Sequence, residues 1–80
     1  MSKYLAIRQN ERKLITSFEY IESGQLQEYV SNFKKEVQRM LGSRCVIEEE
    51  HDVDSIIYIV NDEYSDYFSE SLSIINTKKD

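Results

Sequence analysis

Eighty residues are enough for one domain, and a chain of that length buries only about 60% of its unfolded surface. One cysteine, Cys45, excludes an internal disulfide, and with a single histidine, His51, the chain lacks the ligands for a structural zinc site. A net charge of −5 runs against the basic footprint of a nucleic-acid-binding domain, so a small core has to be supported by packing or self-association.

The elements follow in chain order. "KYLAIRQ" reads as a strand, because Tyr4, Ala6 and Arg8 alternate with Leu5 and Ile7. "NERK" is a polar turn led by Asn10. "LITSFEYI" is rich in β-branched and aromatic residues and is read as a second strand, with Leu14, Thr16, Phe18 and Tyr20 on one face. A helix is the alternative over 11–22, since Leu14, Ile15, Phe18 and Ile21 also fit a 3.6 period.

The next segment has apolar residues at 26, 29, 30, 33, 37, 40 and 41, which is the stripe of an amphipathic helix. Ser23 is positioned to cap it, Arg39 falls in its last turn and Gly42 stands where a left-handed residue ends a helix. "RCVIEEE" and "SIIYIVN" form a hairpin around "HDVD". The unbroken run Ile56 to Val60 suggests a central strand covered on more than one side. The last segment, "DEYSDYFSESLSIINTKK", is read as a helix from the stripe Tyr64, Phe68, Leu72 and Ile75, with acids at its start and lysines at its end. A strand over 63–75 is the alternative, with Phe68, Leu72 and Ile74 on one face.

These elements predict an α+β domain over 1–76 with order β-β-α-β-β-α, the last element alternatively a strand. About four antiparallel strands carry helices on one face, the other face stays open unless something docks on it, and 77–80 form a flexible tail. The aromatic core is expected from Phe18, Tyr29, Phe33, Tyr58 and Phe68. No run reaches the length of a signal peptide or a bilayer span, so a soluble cytoplasmic protein is expected.

Charge divides the chain. Residues 1–44 hold eight Lys/Arg against five Asp/Glu (+3), and residues 45–80 hold two Lys against ten Asp/Glu (−8). One reading is a solvated surface in which the two hairpins neutralise one another through exposed pairs of little energy. The other is that the acidic half addresses a basic partner and steers its approach.

Chemistry is weakly signalled. His51, Asp52 and Asp54 are suitable metal ligands, but the spacing is not that of a calcium loop, and no metal or cofactor is expected. Glu48 and Glu50 share a strand face and Glu49 takes the other, an alternation that protects a sheet edge better than it builds an acid/base pair. Cys45 beside Val46 and Ile47 reads as a small buried hydrophobe, and no phosphate loop or nucleophile motif is present.

The functional expectation is a small non-enzymatic interaction module. It binds a basic protein, such as a nuclease or nucleic-acid-binding enzyme that it inhibits or regulates. A nucleic-acid mimic serving as a phage or mobile-element accessory protein is the most concrete version. The binding residues expected are Glu48, Glu49, Glu50, Asp52, Asp54, Asp62, Glu63 and Asp66, with Tyr64 or Tyr67 as anchor. One alternative is nucleic-acid binding through Arg8, Arg12, Lys13, Lys34, Lys35, Arg39 and Arg44, with Tyr4 or Tyr20 stacking bases. The other is a structural homodimer that covers the open sheet face.

Overall fold

A computed structural model describes residues 3–77, with the side chains of all of them except residues 65–69. The elements are β1 (Lys3–Gln9), β2 (Ile15–Glu22), α1 (Leu26–Leu41), β3 (Cys45–His51), β4 (Ser55–Asp62) and β5 (Ser65–Asn76). All five strands join one antiparallel sheet in the order β2-β1-β5-β4-β3, with α1 across one face. The fold is therefore α+β, but its order is β-β-α-β-β-β.

The expected final helix is the central strand. In "SLSI", residues 71–74, polar and apolar residues alternate, which puts Leu72 and Ile74 on the helix-covered face, 0% and 3% exposed, and Ser71 and Ser73 on the other. β1 and β4 each need a neighbour there, and the ladders formed on both sides of β5 outweigh a helical stripe weakened by serines. Phe68, assigned to the core on sequence, lies outside the described side chains.

The helix stripe is used as its spacing predicts. Phe33, Val37 and Leu41 are buried at successive four-residue steps against Ala6, Ile21, Tyr58, Val60, Leu72 and Ile74. Met40, the other member of the predicted stripe in the last turn, points outward and is 54% exposed. Entry to the helix differs from expectation. A 3-10 turn over Ser23–Gln25 precedes it, and Glu22, not Ser23, stands in a reciprocal capping box with Gln25, whose side-chain oxygen accepts the Glu22 N–H at 3.4 Å. Gly42 ends the helix with φ +62°, a conformation that strains any side chain.

The β1–β2 turn is organised by Asn10, as its position predicts. Its Oδ1 accepts the N–H groups of Arg12 at 2.9 Å and Leu14 at 3.0 Å, and Lys13 takes the left-handed φ of +66°. At the other end of the chain Thr77, expected to open the tail, is tied down. Its Oγ1 and N–H both donate to the Lys3 carbonyl, at 2.8 and 3.1 Å.

Candidate interaction surface

Strand register sorts every side chain onto one of two faces. On the helix side one row across the sheet reads Ser17, Arg8, Leu72, Tyr58, Glu49, and the next reads Glu19, Ala6, Ile74, Ile56, His51. On the open side the rows read Ile15, Gln9, Ser71, Ile59, Glu48, then Phe18, Ile7, Ser73, Ile57, Glu50, then Tyr20, Leu5, Ile75, Ser55.

The helix face is a finished core. The open face is not. Phe18 and Tyr20 are 57% and 60% exposed, and their rings meet edge to face at 6.3 Å. Leu5, Ile7, Ile57, Ile59 and Ile75 are only half-buried by their neighbours in the same sheet. Phe18, expected in the core, is thus on the uncovered side. The expectation that β4 is covered on more than one side also fails here, because α1 packs against Tyr58 and Val60 but not against Ile57 and Ile59. An apolar surface that spans four strands is of the kind that marks an interaction site.

The acidic residues do not gather into one patch. β4 runs eight residues between its two turns, which sets those turns about 25 Å apart. Asp52 and Asp54 lie in the turn at one end, where Asp52 Oδ1 accepts the Val53 N–H at 2.7 Å. Asp62, Glu63 and Tyr64 lie at the opposite end, with the Tyr64 N–H on Asp62 Oδ1 at 2.9 Å and the Tyr64 ring 77% exposed. Asp62 is already engaged by Arg44 at 3.7 Å, and its side chain is only 9% exposed. Glu49 faces the helix, between Lys34 at 3.8 Å and His51 at 3.3 Å. Of the described acids expected to bind a partner, Glu48 and Glu50 border the open face. The Asp66 and Tyr67 side chains lie outside the described residues.

The basic residues are likewise divided. Arg8 stands on the helix side, 3.1 Å from Glu36 and 3.4 Å from Glu70, with its guanidinium 4.9 Å from the Phe33 ring. Lys34 lies 5.1 Å from the Tyr58 ring, and Arg44 Nε donates to the Leu41 carbonyl at 3.4 Å. Lys35 and Arg39 are exposed on α1. Arg12 and Lys13 occupy the far turn, and Lys13 borders a hollow of the open face with Gln9, Ile57, Ile59, Ser71 and Ser73. The basic residues expected for nucleic-acid binding are thus spread over β1, the β1–β2 turn, α1 and the turn after it.

Chemical groups are muted. Burial pushes the Cys45 thiol up, away from the thiolate that a nucleophile requires. Burial, then the Glu49 carboxylate, raises Tyr58, and burial, then Glu19, raises Tyr29. Among the described residues no three His, Cys, Asp or Glu side chains converge as a metal site would require, and no helix is long and apolar enough to cross a membrane.

The surface that sequence reasoning placed elsewhere, Leu5, Ile7, Phe18, Ile57, Ile59 and Ile75, had one legible signal. β1 and β4 are apolar at both parities, while the chain supplies only one strongly amphipathic helix to cover them. No protein-family model matches the chain, and neither a curated protein nor a solved structure matches it.

Proposed function

We propose that the protein is a small interaction module without catalytic activity, and that it binds another protein through the open face of its sheet. The observation that carries this reading is the exposure of Phe18 and Tyr20 beside the half-buried isoleucines of β1, β4 and β5. Aromatic and aliphatic side chains held on a rigid sheet lose little entropy on binding and supply most of the energy of an interface.

The acidic contribution is narrower than the charge count implies. Glu48 and Glu50 border the apolar field along β3, so the partner that fits combines an apolar patch with basic groups on the β3 side. Asp52, Asp54 and Glu63 act at a distance, adding to the field that steers encounter without touching the same partner surface. Tyr64 is exposed but stands at the end of the sheet, which gives it at most a peripheral contact.

The test is affinity capture with the tagged chain at two salt concentrations, run beside Phe18→Ser/Ile57→Ser and Glu48→Lys/Glu50→Lys. The reading predicts a specific protein, a second copy of the chain included, that is retained by the parent. The apolar pair of changes abolishes its retention and the charge reversal weakens it, most at low salt. Equal retention by parent and Phe18→Ser/Ile57→Ser would refute it.

A further inference from the structure

We infer that the occupant of the open face is a second copy of this chain, related to the first by a twofold axis running along the strands. The inference rests on the reading of that face as an interface, and names what covers it.

The first argument is charge complementarity. The required partner carries an apolar patch with basic groups on the side that meets β3. The chain itself presents both. Its β1–β2 half holds Leu5, Ile7 and Phe18, and the adjoining turn carries Arg12 and Lys13 against Glu11. Its β3 side holds Glu48 and Glu50.

Two in-plane twofold axes can bring the open faces together, and charge separates them. An axis across the strands lays β3 on β3 and brings Glu48 and Glu50 of both copies into opposition, which is unfavourable. An axis along the strands lays the β1–β2 half of each copy over the β3–β4 half of the other and keeps each cross-sheet row at its own level. Glu48 ends the row that begins Ile15, Gln9, so it comes over the end of the partner's sheet from which the Arg12–Lys13 turn projects. In the next row Ile7 and Ile57 lie at one level on either side of Ser73, so Ile7 meets Ile57 of the other copy, while Phe18 at the margin comes against the stem of Glu50. The contact is isologous and closes, as a soluble dimer requires.

The second argument is area. Five strands about 4.8 Å apart, four of them seven or eight residues long and β5 twelve, present about 600 Å² over their shared length on one face, a little under the roughly 800 Å² per partner of a standard interface. Stacked about 10 Å apart, two such sheets make the apolar layer of a β-sandwich, a core that each chain lacks on that side. Area alone does not set the affinity, so the dimer has to be sought over a wide range of concentrations.

Sedimentation equilibrium of the full chain, from about 1 to 200 µM, tests the inference. The parent should be a dimer at the upper end. Phe18→Ser/Ile57→Ser should be a monomer throughout, with its fold verified by circular dichroism. Lys13→Glu and Glu48→Lys should each dissociate at least about tenfold more readily, and their equimolar mixture should recover the parent's affinity, since the mixed pair keeps one contact as in the parent and restores the other with its charges exchanged. A parent dimer lost in Phe18→Ser/Ile57→Ser but indifferent to both charge reversals would overturn the twofold arrangement and leave the interface reading standing. A monomeric parent at every concentration would overturn the second copy, and capture of a different protein through the same face would then still uphold that reading. A parent dimer untouched by Phe18→Ser/Ile57→Ser would overturn both.

Discussion

The two faces of one sheet, built from the same alternating strands, have different fates. On the helix side Ala6, Val60 and Leu72 reach 0% exposure, and the polar side chains at the margin are paired within the chain. On the open side the alternate residues of the same strands, Leu5 and Ile7, Ile57 and Ile59, Ser71 and Ser73, remain half-buried, and Phe18 and Tyr20 are largely in water. One sixteen-residue helix can cover only one face. The difference teaches that apolar content in a strand does not reveal its layer. What tells the faces apart is the supply of covering elements.

Substitutions should separate the faces by stability. The largest effect belongs to Leu72→Ala, which leaves a cavity under α1 and should lower unfolding free energy by about 2–4 kcal/mol, read by urea denaturation. A loss below about 1 kcal/mol would mean that the helix face is not the core. Arg8→Ala comes next. Arg8 is largely buried between Glu36 and Glu70 and stacks on Phe33, so its removal leaves two carboxylates without their cation and strips packing from the ring. A loss of about 1–2 kcal/mol is expected, smaller for Arg8→Lys.

Smaller changes sharpen the contrast. Lys13→Gly relieves a left-handed backbone and should raise the melting temperature of the monomer, by the equivalent of about 0.5–1 kcal/mol. Phe18→Ser should leave the stability of the monomer within about 0.5 kcal/mol of the parent, measured by denaturation at protein concentrations low enough to keep the chain dissociated. The same substitution on the helix face, Phe33→Ser, should unfold the domain.

Alkaline pH offers a further probe of the covered face. The folded values of Tyr58 and Tyr29 are raised, by burial first, so the fold favours the neutral phenols. Their contribution is complete below the unfolded tyrosine value near 10 and is lost as pH rises through the folded values. The melting temperature should therefore fall above about pH 10, and Tyr58→Phe should lessen that fall.

Much of the local structure was legible. The turn at Asn10, the helix from its 3.6-residue stripe, the glycine at its end and four of the strands follow from local rules. Residues 65–76 were legible as a strand only as the alternative to a helix, because Leu72 and Ile75 also satisfy a helical period and the decisive fact is tertiary: β1 and β4 both pair with this segment. Phe18 was placed in the core for the same reason, since periodicity shows that Phe18 and Tyr20 share a face but not which face the helix takes. The grouping of acids was unreadable too. Asp54 and Asp62 are eight positions apart in sequence, but the strand between them carries them to opposite ends of the sheet.

The central claim, that the open face is an interface, is tested most directly by the solvent accessibility of its isoleucine methyl groups across a dilution series. A soluble paramagnetic probe should broaden the methyl signals of Ile7, Ile57, Ile59 and Ile75 when the chain is dilute. Those signals should be protected at about 200 µM, while the buried Ile74 is protected at every concentration. Uniform broadening of the four at all concentrations, with no protection from a second copy or from any captured partner, would contradict the account.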